Sequence, residues 1–361
     1  MIESVFAYLS LSRYTGSLTL QEESGVRAGP PALAKSVCEV MISPTGGSVV
    51  TVMQIDPNHA KASFDDIYSK DDPRDYYAVL GSLDYAIPDL ASPILRQLAS
   101  AWRERHGRPA TLLDLGSSYG INAALFRYPL SFSTLRRRYG QRSMLKLPSA
   151  EVQSLDRNYF KAWPRTQPES IVVADISRPA VRYAVRSGLA EAGIDQSLEN
   201  GIPSLGIAET LSEIDIVVST GCVGYVTQNT FKSILKAART QPWIVSFVLR
   251  MFDYTPIAAV LSRAGLKTEK LRSAAFVQRR FRDEDEAANV IEILEKQGID
   301  PTGLESDGLL YAELFVSRPE AEVRAAPLDE VVTIANGRNL SFGARIMQVQ
   351  PGSAELTAVR T

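Results

Sequence analysis

The run Leu113-Asp114-Leu115-Gly116-Ser117-Ser118-Tyr119-Gly120-Ile121-Asn122 sets an acid and two glycines in a short turn between an apolar stretch and a helix-forming one. Glycine takes left-handed backbone angles without a Cβ clash, so such a turn lets main chain approach a ligand closely. At the start of the following helix, free N–H groups point outward with partial positive charge. Open α/β sheets bind small molecules at turns of this kind, beyond the carboxyl ends of their strands. A nucleotide-like ligand also needs an acceptor for its ribose hydroxyls, which a dinucleotide fingerprint supplies about 20 residues further on. No Asp or Glu stands between Gly120 and Glu151, which argues against a standard dinucleotide site. The first acid that closes a convincing strand is Asp175, in Val172-Val173-Ala174-Asp175-Ile176-Ser177.

These residues need a scaffold, and from Thr111 onward the chain alternates strand, turn and helix. The apolar runs TLLDLG, SIVVADIS (170–177), IDIVVS (214–219), WIVSFVLRM (243–251) and LLYAELFVS (309–317) read as buried strands. After Asp175, Ser177 is the expected N-cap and Pro179 sits in the first helical turn, with Val181, Ala184, Val185 and Leu189 on one stripe. Phe231, Ile234, Leu235 and Ala238 repeat that spacing, and a helix near 284–297 is expected to bury Val290, Ile291 and Leu294 and stop at Gly298. Strands separated by single amphipathic helices make βαβ units, so the fold class is α/β: a doubly wound, mostly parallel sheet with helices on both faces.

Four segments are expected. Residues 1–60 form a strand-rich extension with a hairpin around Pro44 to Gly47, and residues 61–106 a helical segment rich in tyrosine. Residues 107–319 form the core, with an insertion at 128–168. Residues 320–361 end in a hairpin turning at Asn336-Gly337. Two-stranded hairpins are marginal in water, so the two ends are expected to pair, within one chain or across a homodimer. Arg127, Arg136, Arg137, Arg138, Arg142 and Lys146 fall in 121–150 with no acid among them. Such a run reads first as a solvated helix face and second as a carboxylate or phosphate site. The acidic FDDIYSKDDPRD (64–75) could pair with it.

Composition narrows the partners. A net charge of −2 and a pI near 5.9 give no global reason to expect nucleic acid or an anionic membrane surface. Apolar stretches fall short of the ~20 residues of a membrane span. The start, MIESVFAYLSLSRYTG, lacks a basic n-region. Cys38 and Cys222 stand far apart with only His59 and His106 besides, so neither a metal site nor a disulfide framework is expected. A cytosolic, soluble protein is the expectation.

The pattern D-x-G-x-x-x-G at Asp114, Gly116 and Gly120 resembles the first motif of class I S-adenosylmethionine (SAM)-dependent methyltransferases, whose common form has a third glycine where this sequence has Ser118. The resemblance covers about residues 105–317. It implies a Rossmann-like, seven-stranded sheet, with SAM as cosubstrate and no metal. By that likeness Asp114, Gly116, Ser117, Ser118, Gly120 and Asn122 line the methionine side of SAM, with Asp114 acting towards its ammonium directly or through water. Asp175 and Ile176 meet the ribose. A third strand near 196–200 brings Glu199 and Asn200 to the adenine, and Ser219, Thr220 and Gly221 meet sulfonium and acceptor. The distance from Gly120 to Asp175 is long for the family and implies the insertion at 128–168. The segment before the first strand commonly closes over SAM, so 61–106 is the expected lid, with Tyr77 and Tyr85 over the sulfonium.

No acid or histidine near Thr220 presents itself as a general base. Methyl transfer to a small molecule needs little beyond in-line placement, because SAM is already activated. A second reading comes from Tyr119-Gly120-Ile121-Asn122-Ala123-Ala124-Leu125 with the upstream DPRDYYAVLGSLDYAIP, which is similar to a bacterial branch containing azetidine-2-carboxylate synthases. Enzymes of that branch let the amine of SAM attack its own γ carbon and release methylthioadenosine. A third reading is a SAM-binding protein without turnover.

Overall fold

The computed structural model describes residues 64–199, 201, 203–334, 340–342, 345–349 and 356–360, the last three ranges as backbone strands. The N-terminal hairpin, its pairing with the C-terminal end, the turn at Asn336-Gly337 and the side chain of Asn200 lie outside the described residues.

Eight strands form the main sheet: β1 (Thr111–Leu115), β2 (Ser170–Ala174), β3 (Ala192–Ile194), β4 (Ile216–Thr220), β5 (Trp243–Leu249), β6 (Leu266–Lys270), β7 (Phe276–Arg280) and β8 (Leu309–Pro319). Their order is β3-β2-β1-β4-β5-β8-β6, with β7 also paired to β8. The first five run parallel, whereas β8 is antiparallel to β5, β6 and β7. The order reverses between β1 and β4, and that switch point opens the crevice in which ligands of such sheets bind.

The continuous apolar runs follow from burial on both faces. Side chains alternate along each strand. Leu112, Ile171, Val173, Ile216, Val218 and Phe247 enter one core with the helices Ile87–His106, Ile121–Arg127 and Arg178–Arg186. Leu113, Val172, Val217, Ile244 and Val248 enter the other with the helices Gln228–Ala237 and Thr255–Arg263. Each fully buried Leu, Ile or Val side chain stabilises the fold by about 1.5–3 kcal/mol.

Several local expectations need correction. The third strand lies at 192–194, ahead of the expected 196–200. The sheet has eight strands where seven were expected, because β6 and β7 sit end to end beside the long β8. Both are masked by polar residues: β6 is a partly exposed edge, LKTEK, and β7, FVQRR, buries its polar Gln278 and Arg279. Leu328–Val331 is a short helix and not the start of a hairpin. The C-terminal strands are Leu340–Phe342, Arg345–Val349 and Leu356–Arg360, in one antiparallel sheet.

Between the helix Ile121–Arg127 and β2 stand the helices Phe132–Tyr139, Arg142–Leu145 and Ser149–Lys161. The basic run divides there. Arg127 is buried against Glu191, and Arg138 bonds Asp156, which also accepts from the Tyr139 and Tyr183 hydroxyls at 3.0 and 2.7 Å. Arg136, Arg137, Arg142 and Lys146 are exposed. The acidic stretch meets this segment through Asp72, which accepts from Ser149 at 2.6 Å, and through Arg74, which donates to the Met144 and Leu147 carbonyls.

Candidate functional site

A cavity of about 600 Å³ opens beyond the carboxyl ends of β1, β2 and β4, within the range usual for small-molecule sites. Its floor is the turn after β1. Gly116 and Gly120 have φ of +70° and +78°. A Cβ on Gly116 would fall 2.5 Å from Cys222 Cβ, so the turn after β4 leaves no room for a side chain there. A Cβ on Gly120 would meet Ala184 Cβ at 3.0 Å, which places Gly120 against the helix Arg178–Arg186 and off the cavity wall. Ser118, at the position of the third glycine of the methyltransferase pattern, has φ +49°.

Asp175 braces this turn. Its Oδ2 accepts from the Ser118 amide at 2.8 Å and its Oδ1 from the Ser177 amide at 2.9 Å. Burial raises its carboxyl above the ordinary value, against the pull of those amide bonds. Asp175 lines the cavity wall, and a carboxylate with about four acceptor sites has capacity beyond these amides for a hydroxyl donor. Ile176 beside it is 80% exposed and lines the cavity with Leu198 and Val226, an apolar slot next to an acid.

Asp114 lies one layer below the wall, 3% exposed. Its Oδ1 accepts from Asn122 Nδ2 at 2.9 Å, and the same nitrogen reaches Thr220 Oγ1 at 2.9 Å. Burial pushes the Asp114 carboxyl up to about 7, with the Asn122 bond opposing and the Asp175 charge adding. Asn122, Ser117, Ser118, Thr220 and Gly221 line the cavity as expected residues of the wall. Ser219 does not: it is fully buried and donates to Ser246 Oγ at 3.1 Å. Glu199 reaches the wall from the loop after β3 and accepts from Thr227 N at 3.1 Å and Thr230 Oγ1 at 2.5 Å. Burial would raise its carboxyl, but these bonds outweigh it and hold the group below its usual range.

Of the two lid tyrosines, Tyr85 lines the cavity and Tyr77 does not. Tyr77 stacks on Tyr139 at 4.6 Å between ring centroids and packs against Phe132, in the core of the helices Arg74–Ser82 and Phe132–Tyr139. One helical position decides this, because neighbours at i and i+1 point about 100° apart. Tyr76 takes the cavity side with Phe64 and Tyr68. Burial raises the Tyr68, Tyr76 and Tyr85 hydroxyls far above their ordinary value, so they stay neutral. The aromatic roof is tied down: the Tyr119 hydroxyl reaches the Ile67 and Lys70 carbonyls at 2.9 and 2.8 Å, and Ser177 Oγ donates to the Tyr68 carbonyl.

Two wall residues had no place in the sequence reading. Gln278 and Arg279 come from β7, where a register shift between Val277 and Arg279 bulges Gln278 out of the ladder. Bulges often re-aim side chains beside binding sites. The sequence signal was a Gln-Arg pair inside an apolar strand. Arg279 bonds Glu286 through both nitrogens at 2.8 and 2.6 Å, and Arg178 pairs with Asp195 at 3.1 Å. Both wall cations are thus matched, whereas Asp175 and Glu199 are held by amides and hydroxyls. The cavity therefore favours a ligand with positive charge and hydroxyl donors.

Among the described residues no group of three or more His, Cys, Asp or Glu side chains is gathered to hold a metal, and no helix is long and apolar enough to cross a membrane.

No protein-family model and no curated protein matches the sequence. Similar solved structures include the TehB-like SAM-dependent methyltransferase of Corynebacterium glutamicum (15% identity, 64% of this chain and 99% of that one, TM-score 0.30). They include DesVI of Streptomyces venezuelae (12% identity, 72% and 99%, TM-score 0.34). A third is the magnesium protoporphyrin IX methyltransferase of Synechocystis, solved with bound SAM (12% identity, 62% and 79%, TM-score 0.29). The strand order with a reversed β8, and the glycine turn after β1 at its switch point, identify the fold of this chain as a Rossmann-like, doubly wound α/β fold.

Proposed function

We propose that the chain is a SAM-dependent transferase that moves the methyl group of SAM to a small molecule. The observation that carries this reading is the cavity at the β1/β4 switch point, which combines Asp175 for a ribose, an apolar slot at Ile176 and Leu198 for a base, and a neutral aromatic roof for a sulfonium. Tyrosine faces attract such a cation by roughly 0.5–2 kcal/mol each. Thr220, Gly221 and Tyr85 border the part of the cavity where the transferred carbon would lie, and Asp114 supports Asn122 and Thr220 from below. The two widely spaced cysteines accord with a cytosolic enzyme.

The chemistry asked of the chain is placement. The acceptor must lie in line with the S–CH3 bond, and SAM supplies the leaving group. No His or Lys lines the cavity among the described residues, so an acceptor that needs no strong base suits it. That same feature keeps the cyclisation of SAM as a second reading, since the amine of SAM is such a nucleophile. Incubation with SAM alone, followed by mass spectrometry, separates the readings. Methylthioadenosine with a cyclic amino acid means cyclisation. S-adenosylhomocysteine formed only with an added acceptor means methyl transfer. Unchanged SAM under both conditions, with binding intact by calorimetry, means a binding protein without turnover.

A further inference from the structure

The walls of the cavity hold an excess of hydrogen-bond acceptors that no side chain satisfies. Asn122 Nδ2 is committed to Asp114 Oδ1 and Thr220 Oγ1, both at 2.9 Å. The Asn122 amide oxygen is left buried and without a partner. Gln278, 3% exposed, lines the same cavity with its Oε1 buried and unpartnered. Its amide lies against Gly221: a Cβ there would come within 2.2 Å of Gln278 Nε2. The backbone around it is fixed as well, since the Gln278 carbonyl accepts from the Ala86 amide at 2.8 Å and Arg280 pairs with Asp84 at 2.7 Å. Gln278 is thus held beside the end of β4, and an unmet buried acceptor is costly unless the ligand supplies a donor.

We infer that the methyl acceptor is an amine, whose N–H groups are held by the amide oxygens of Gln278 and Asn122 so that its lone pair faces the methyl carbon. An alcohol or phenol brings a single hydrogen, whereas an amine meets two acceptors and keeps a lone pair for attack. The inference rests on the SAM reading above. In the step, the nitrogen lone pair forms the N–C bond while the C–S pair returns to sulfur. The sulfonium becomes a neutral thioether, the nitrogen becomes a methylammonium, and its proton leaves to a solvent base. Gln278 is a specificity and positioning residue in this step.

The test uses the whole chain and two probes: S-adenosylhomocysteine, and sinefungin, its analogue with a protonated primary amine where the transferable methyl would be. The wild type should bind sinefungin more tightly than S-adenosylhomocysteine. Gln278→Leu should weaken sinefungin binding about 10- to 100-fold, the size of a hydrogen bond to a charged group, and leave S-adenosylhomocysteine within about threefold. Gln278→Glu, which keeps an acceptor, should retain the preference for sinefungin. Equal affinity of the wild type for both probes, or an equal loss of both in Gln278→Leu, overturns the inference while the SAM reading stands. Failure of the wild type to bind either probe overturns the SAM reading itself.

Discussion

The amide of Ser118 donates to Asp175 Oδ2 at 2.8 Å, and through that bond a serine is held at φ +49°, a conformation that ordinarily calls for glycine. The bond joins the turn after β1 to the end of β2, so one acid both shapes the floor of the cavity and stands at its wall. Asp175→Ala should weaken SAM binding by about 1.5–3 kcal/mol through loss of the ribose contact, and should also lower the melting temperature. Ser118→Gly in the same background should restore much of the melting temperature, because glycine tolerates the angle, without restoring affinity. Calorimetry and thermal melts check both. Unchanged affinity in Asp175→Ala removes this residue from the site.

Gly116→Val should abolish SAM binding. The new Cβ starts 2.5 Å from Cys222 Cβ at a backbone angle of +70°, so the turns after β1 and β4 must separate. Gly116→Ala should cost roughly 1–3 kcal/mol of stability, and Cys222→Gly should relieve part of that cost. Chemical denaturation of the two single variants and the double variant measures the coupling. Normal SAM binding by Gly116→Val would place the cofactor elsewhere.

Tyr77 and Tyr85 should separate by phenotype. Tyr77→Ala removes a core ring stacked on Tyr139 and should destabilise the protein by about 3–5 kcal/mol, with little change in SAM affinity for the molecules that remain folded. Tyr85→Ala removes part of the cavity roof and should weaken SAM binding with a smaller loss of stability. Thermal melts beside binding titrations decide it. A reversed pattern would mean that the cavity assignment of these rings is wrong.

The roof should be held closed by Tyr119. Tyr119→Phe loses its contacts to the Ile67 and Lys70 carbonyls and should speed protease cleavage within 64–72, and SAM should protect this segment less well than in the wild type. Cleavage rates with and without SAM give the answer; identical rates in variant and wild type would reduce the hydroxyl to ordinary packing.

Asp114 should leave a signature in the pH dependence of stability. Its folded value of about 7 lies above the ordinary 3.8 because burial disfavours the charge. Below about 3.8 the carboxyl is protonated in both states, and its contribution is fully present. Between about 3.8 and 7 the unfolded chain releases the proton first, so stability falls as pH rises, and it levels off above about 7. The wild type minus Asp114→Asn difference should therefore decline across that window, by an amount on the order of a few kcal/mol. Denaturant titrations from pH 4 to 8 measure it, and a flat or rising difference contradicts the burial of a protonated Asp114.

Much of the core was legible in the sequence because its signals are local. Apolar runs of strand length, N-caps such as Ser177, and a glycine turn after TLLDLG act over a few residues, and they settled the α/β class, the turn at Gly116 and the acid at Asp175. Tertiary structure alone decided which of two adjacent tyrosines faces the cavity, since Tyr76 and Tyr77 have the same chemistry and differ only in what packs around them. It also decided that Gly120 serves helix packing, that Ser219 is buried beneath the site, and that Asp114 works one layer below the wall. Gln278 and Arg279 were invisible for a related reason. They stand more than 150 residues from the glycine turn, on a strand whose polar residues hide its period, and only the antiparallel return of β8 brings β7 to the cavity. Local sequence fixes backbone conformation and hydrophobic pattern, whereas the convergence of distant side chains on one cavity depends on how the whole sheet closes.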